Sequence, residues 1–310
     1  MNFPFCLLRI DIIDYSCVFF NASLLHFKFK LTICVQFDKI KNFDIINETF
    51  GGTVMEEVKL THKMEKEFVM LGGGSEGTVY KYKNQAIKIF NSGLINNNKL
   101  QKIKLLHNMD LEDFQLPKKL YLNKACNPVA YSMDYIDSDK TVQNILQSNR
   151  LPLRQKLIYL EKVEYLVKNA HYNNIVLNDL NMFNFLVDEN DTVKAIDTDN
   201  YKVKEYESDT NPSFFTDLYN NNIGTIISEN TDKFSLTLHF FKDLINKRDI
   251  DEQKLLDDYH YIEELIDRVD APNKFKDFLY QQLFGKKRMR YPAEYFEMIS
   301  SDNEQFLKLK

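Results

Sequence analysis

The chain has no tryptophan, and only nine glycines, seven prolines and four cysteines among its 310 residues. Sparse glycine and proline exclude collagen-like and low-complexity architectures, and no internal repeat is visible. Cys6, Cys17, Cys34 and Cys126 have neither metal-type spacing nor the density of a disulfide framework, which points to a reducing, cytoplasmic compartment. An excess of positive charge is missing too. The net charge is −5, so no bulk attraction to nucleic acid is expected. In the first 54 residues the longest run free of Asp, Glu, Lys and Arg, Tyr15 to Phe27, is 13 residues. That is too short for a bilayer helix, and no membrane partner is expected. What is present is an ordinary globular mixture, 44% hydrophobic and 27% charged, long enough for one large or two medium domains.

Residues 1–54 do not match the rest: they are aromatic-rich, hold three of the four cysteines and show no sustained period. Gly51-Gly52-Thr53-Val54-Met55 can be encoded by a ribosome-binding sequence two codons ahead of a start codon. Translation is therefore expected to begin at Met55, with residues 1–54 a non-domain extension. The alternative is that Gly51-Gly52 is a linker.

Two stretches carry chemistry. Four of the nine glycines fall together in Gly72-Gly73-Gly74-Ser75-Glu76-Gly77-Thr78-Val79, which meets the pattern G-x-G-x-x-G-x-V. Glycine lets a backbone turn without a Cβ penalty and approach phosphates closely. A dinucleotide site would need a helix next. Instead Thr78 to Tyr82 alternates like a strand, Lys83-Asn84 reads as a tight turn, and Ala86-Ile87-Lys88-Ile89-Phe90 is a second strand. Lys88 on such a strand is either an edge charge facing water or a phosphate-pairing lysine, and the loop before it favours the latter. The second stretch runs from Asn174 to Asp199. There Asp179 is followed five residues on by Asn184 and eighteen on by Asp197. Short apolar runs predict a loop, a strand, a polar turn at Asp188–Asp191 and another strand. Asp and Asn oxygens are hard ligands suited to Mg²⁺, and a further Asp can accept a proton. Any one Asp alone would read as a turn residue.

Taken together, these motifs resemble the protein-kinase-like superfamily. Asn178-Asp179-Leu180-Asn181-Met182-Phe183-Asn184 is similar to the H-R-D-L-x-x-x-N loop, Asp197-Thr198-Asp199 to D-F-G, and Ala86-Ile87-Lys88 to the end of V-A-I-K. The resemblance covers roughly residues 66–250. It implies an α+β, two-lobed fold: an N-lobe over 55–136, with a small five-stranded antiparallel sheet and one helix, and a mainly helical C-lobe over 137–310. It implies ATP and Mg²⁺ as cofactors, and transfer of the γ-phosphate to a hydroxyl of a protein substrate, as in an atypical bacterial or phage-type Ser/Thr kinase. Asp179 would take the hydroxyl proton and Lys88 hold phosphates. Gly72, Gly73, Gly74, Ser75, Gly77 and Val79 would cover the nucleotide. Ala86 and Met133 would line the adenine pocket, with backbone groups of Asp134 and Ile136 bonding the base. Asn184 and Asp197 would hold metal, with Asp199 assisting.

The sequence departs from the family in ways that carry expectations. The helix expected over Lys99–Met109 has no Glu to pair with Lys88, and Gln101 is the available substitute. Leu177 and Asn178 replace the usual His-Arg, so phosphorylation at Ser208, Thr210, Ser213 or Thr216 is not expected to be required. Asn181 replaces the lysine typical of Ser/Thr-directed kinases. Asp197-x-Asp199 also resembles the aminoglycoside- and choline-type phosphotransferases, whose acceptor is a small-molecule hydroxyl bound in an acidic pocket, here near Glu207–Asp217 and 251–270. A pseudokinase that binds ATP without turnover is the third reading. Further on, a long helix is expected over Leu151–Tyr172. A buried helix opens at Asp232, which the resemblance implies bonds the Asp179 loop and which can also be its N-cap. Three more helices are expected near 251–269, 272–284 and 292–308.

Overall fold

The computed structural model describes residues 17–24, 27–34, 53–91, 95–208, 227–245, 249–285, 290–300 and 307–309. The chain divides into two compact units, Met1–Val54 and Met55–Lys310. In the first, β1 (Cys17–Leu24) and β2 (Phe27–Cys34) form an antiparallel hairpin with Cys17 opposite Cys34. The aperiodic sequence of this segment gave no sign of it.

The second unit is α+β. It begins with β3 (Glu56–Lys59), the short α1 (His62–Glu65), β4 (Val69–Gly73), β5 (Gly77–Tyr82) and β6 (Gln85–Phe90). The β5–β6 turn is tight because Lys83 adopts φ 55, the left-handed conformation a two-residue hairpin needs. Then come α2 (Asn97–His107), β7 (Lys119–Leu122) and β8 (Pro128–Asp134). Asn96 caps α2, its side chain accepting from the Lys99 amide at 2.8 Å.

These strands form one six-stranded sheet in the order β3-β7-β8-β6-β5-β4. The expected five-stranded antiparallel sheet is corrected here, because β3 pairs parallel with β7 and the sheet is mixed. A parallel pair needs a long crossover, and three strands and α2 lie between β3 and β7. Alternation sorts β6 cleanly. Ala86 and Phe90 pack with Ile103 of α2, Leu120, Tyr131 and Met133 on one face, while Ile87 packs with Tyr121, Val129 and Ala130 on the other. Lys88 has the parity of Ala86 and Phe90, so it points to the α2 face.

The rest is mostly helical. A capping box at Thr141 and Asn144 opens α3 (Val142–Gln147), followed by α4 (Leu153–Tyr172). Short strands β9 (Ile175–Val176), β10 (Phe185–Val187), β11 (Val193–Ala195) and β12 (Lys202–Val203) follow, with β10 paired to β11 and β12 to β9. Next is α5 (Glu229–Leu244), buried at every residue from Thr231 to Leu244. It packs on α4. Its N-cap is Ser228, so Asp232 lies in the first turn and is not the cap. The helix expected over 251–269 is two, α6 (Glu252–Asp257) and α7 (Tyr259–Arg268), split at Asp258, which caps the second. Then α8 (Asn273–Phe284) and α9 (Ala293–Ser300) follow. The last expected helix stops short of 308: Leu307 bridges to Ile245, and Leu309 to Val269. Among the described residues no helix is long and apolar enough to cross a membrane.

Candidate functional site

One transverse row of the sheet builds the first half of the site. Register places Gly72 opposite Val79, Val79 opposite Lys88, Lys88 opposite Tyr131, and Tyr131 opposite Leu120. Directly paired residues share a face. The next row on that face holds Ala86 opposite Met133, both buried. Asp134 ends β8 exposed, with its carboxylate 2.6 Å from Lys118 Nζ. Ile136 lies just beyond, half-buried, its carbonyl accepting from Ser138 N–H at 3.0 Å.

The glycine loop is closed by Gly74 N–H donating to Gly77 O at 2.9 Å. Asn91 ties it from outside, its side-chain amide donating to the carbonyls of Gly74 and Ser75 at 3.1 Å each. The glycines are not equivalent. A Cβ on Gly77 would sit 2.5 Å from Ile89 O, whereas at Gly72 and Gly74 it would meet nothing within 4 Å. Gly73 would make only ordinary contacts with Met70 and Thr78. Gly77 is therefore demanded by strand packing, while Gly72, Gly74 and the exposed Ser75 leave the loop open above the Lys88 row.

The Asp179–Asp199 stretch builds the other half. Asp232 of α5 is fully buried, and its two oxygens accept from the backbone amides of Leu177 and Asn178, each at 2.8 Å. Its Oδ2 lies 2.9 Å from His171 Nε2. Of the two readings for Asp232, this geometry is the bond to the Asp179 loop. Asn178, held at φ 63, centres a tight turn in which Asp179 N–H donates to Leu177 O at 2.7 Å. His239 of α5 reaches the carbonyl of Leu180 at 2.9 Å. On the hairpin, Phe185 pairs with Ala195, and Ile196 N–H donates to Asn184 O at 2.9 Å. Asn184 therefore sits beside the residue that precedes Asp197. Asp197 itself takes φ 61, a left-handed conformation costly for a non-glycine residue and typical of functional turns.

The halves meet through charge. Lys88 Nζ bonds Asp197 Oδ1, lies 2.9 Å from Asp199 Oδ1 and 3.6 Å from Glu76 Oε2. Tyr131 donates its hydroxyl to Asp199 Oδ1 at 2.6 Å. Lys99 of α2 lies 3.0 Å from Asp199 Oδ2, 3.3 Å from Glu76 Oε2 and 2.8 Å from Asn200 Oδ1. Asn200 donates to Asp197 Oδ2 at 2.6 Å. Burial works against the Lys88 ammonium, but Asp199 and then Asp197 more than offset it and hold its pKa above the ordinary lysine range. Asp199 is as buried, yet Lys88 and Lys99 keep its carboxyl well below the carboxylate range. Asp197 is pushed up by burial and by Asp199, only partly relieved by Lys88. The Tyr201 phenol, raised first by burial, also feels Asp197, Asp232, Asp179 and Asp199.

Three carboxylates (Glu76, Asp197, Asp199) thus face two ammonium groups. Of the two aspartates Asp197 is the open one, its side chain 32% exposed while that of Asp199 is sealed. Among the described residues no three His, Cys, Asp or Glu side chains are grouped to hold a metal. Asp197, with Asn184 tied by its backbone to Ile196 next door, offers the few oxygen ligands of an ion that keeps water and phosphate oxygens as most of its shell, as Mg²⁺ does.

The structure therefore brings Lys88, Asp197 and Asp199 together, and Asn184 is tied through its backbone to Ile196, the neighbour of Asp197. Gln101 is exposed and does not reach Lys88. Glu76, Lys99, Tyr131, Asn200 and Tyr201 were not anticipated. Tyr131 is foreshadowed by strand parity with Met133, while nothing in the sequence marks Lys99. Of the four hydroxyl residues at which phosphorylation was not expected to be required, Ser208 donates to Asn200 O at 2.8 Å, and Thr210, Ser213 and Thr216 lie outside the described residues, as does most of the Glu207–Asp217 segment. A search of protein-family models and of curated proteins finds no match to this chain.

Proposed function

We propose that the chain is an ATP-dependent phosphotransferase on a two-lobed, protein-kinase-like fold, transferring the γ-phosphate to a Ser or Thr hydroxyl of a protein. The observation that carries this is the bond from Lys88, on a central strand, to Asp197, 109 residues later on a strained turn. It joins the phosphate-pairing lysine to the carboxylate a metal would need, beneath an open glycine loop.

In this reading Lys88 neutralises phosphate oxygens and fixes their position. Val79 and, in the next row, Ala86 and Met133 supply an apolar seat for adenine, with backbone groups of Asp134 and Ile136 at its rim. Asp179, aimed by the turn at Asn178 and the clamp from Asp232, accepts the proton of the attacking hydroxyl. That oxygen bonds the γ-phosphorus as the bond to the β–γ bridging oxygen breaks, leaving ADP. Mg²⁺, which Asp197 and Asn184 would hold, supplies charge neutralisation on the phosphates. We assign Asp199 to Lys88 rather than to metal, because two ammonium groups and a phenol already face it.

Incubation with Mg-ATP labelled at the γ-phosphate tests this. We expect label on the chain itself or on a generic protein acceptor, and at least about 10²-fold less with Asp179→Ala. Asp179-dependent turnover stimulated only by amino-sugars or other small alcohols would move the acceptor to small molecules. ATP binding without any turnover would leave a pseudokinase.

A further inference from the structure

We propose that Lys99 is a positioning residue that locks α2, the glycine loop and the Asp197–Asn200 turn into one unit, through an ion pair with Asp199. Its consequence for catalysis rests on the phosphotransferase reading above; its structural part does not.

Lysines on helices ordinarily reach water. Lys99 is 5% exposed and its ammonium meets acceptors from two other elements. Glu76 Oε2 comes from the glycine loop, at 3.3 Å. Asp199 Oδ2 at 3.0 Å, Asp199 O at 3.3 Å and Asn200 Oδ1 at 2.8 Å come from the turn. An ammonium sunk this deep is tolerable only with such partners, and losing it leaves a carboxylate buried and short of charge. The other oxygen of Asp199 takes Lys88 and Tyr131, so one carboxylate divides its two oxygens between two lysines. Helix and strand are thus coupled through the turn. The helix contributes a cation where the family pattern has a Glu and this chain offered only Gln101, and the partner of Lys88 is on the turn. Asn200 extends the lock, since it accepts from Lys99 and donates to Asp197. Lys99 touches no reacting atom in this arrangement. It acts on Lys88 and Asp197 through Asp199 and Asn200.

The test uses the full 310-residue chain, comparing Lys99→Met, Lys99→Arg, Asp199→Asn and the double variant Lys99→Met/Asp199→Asn. Hydrogen exchange and thermal unfolding are read without nucleotide, and kcat and KM for ATP with it. For Lys99→Met we expect exchange in α2 and in residues 197–201 to rise together by about tenfold. The unfolding midpoint should fall by about 5 °C or more. If transfer occurs, kcat should fall about tenfold with a smaller change in KM. Lys99→Arg should restore most of each, and the double variant should be no worse than Asp199→Asn alone. Unchanged exchange at 197–201, an increase spread evenly over the unit, or additive losses in the double variant would overturn the proposal. Should Lys99→Met not fold, Lys99→Gln is read in the same way. A wild-type chain that transfers no phosphate, yet loosens at α2 and the turn in Lys99→Met, would uphold the lock and sink the phosphotransferase reading.

Discussion

At the scale of single residues, the glycine loop separates structural from functional glycine. Gly77 lies against the Ile89 carbonyl with no room for a methyl group, so Gly77→Ala forces β5 and β6 apart. Overpacking of this kind costs about 1–3 kcal/mol, and urea denaturation should show it. Gly72→Ala and Gly74→Ala meet open space. Their stability should stay within about 0.5 kcal/mol of wild type, while on the phosphotransferase reading proposed above transfer should fall, since a Cβ would crowd the loop where a nucleotide would approach. The same pattern letter thus hides two demands. The spacing of the glycines was legible in the sequence. Which glycine packs against a neighbouring strand was not, because the contact belongs to β6 and not to the loop.

At the scale of elements, α5 holds the Asp179 loop by two grips, Asp232 on the amides of Leu177 and Asn178 and His239 on the carbonyl of Leu180. His239 is fully buried, and burial first, then Lys242, keeps its pKa well below 6.5. Below about pH 6.5 the unfolded chain binds a proton that the folded chain refuses, so stability must fall as pH falls through that window, by about 1.4 kcal/mol per unit from this group. Urea unfolding at pH 7 and pH 5.5 should show a shallower decline in His239→Gln than in wild type. The elements themselves were largely legible where period and turn chemistry agree. The strands around Lys83-Asn84, the helix from residue 97 and the long helix ending at Tyr172 fall close to expectation. β3 did not, because four residues pairing in parallel with a distant strand leave no local pattern. Nor did the break at Asp258, where an N-cap interrupts an otherwise continuous apolar period. Within the site, Lys88, Asp197 and Asp232 were singled out by the family resemblance. Lys99 was missed because a lysine on a helix reads as solvated until the fold shows what lies opposite.

At the scale of the Met55–Lys310 unit, apolar clusters on the two faces of the sheet stand apart from the large cluster among the helices. Between them runs the charged network of Lys88, Lys99, Asp197 and Asp199, with Lys102 of α2 adding a fully buried ammonium that donates to Glu207 O at 3.0 Å. A nucleotide bound there would stabilise the whole unit. Mg-ATP at a hundred times its Kd should add about 2.7 kcal/mol, visible as a higher unfolding midpoint. Asp179→Ala should keep that gain and Asp197→Asn should lose its dependence on Mg²⁺.

The row Gly72, Val79, Lys88 and Tyr131 has one more consequence, for heredity rather than chemistry. Side chains alternate along β6, so a one-residue insertion or deletion within the strand would turn Lys88 toward Ile87's apolar neighbours and bring Ile87 or Ile89 to face Asp199. Such a lesion would strand an ammonium on one side of the sheet and leave Asp199 short of a partner on the other. Chemistry and folding would fail together, and no second substitution within β6 could mend one without the other. Strand length here should therefore be inherited unchanged, while Val69, Met70 and Leu71 of β4, all exposed, remain free to drift in composition.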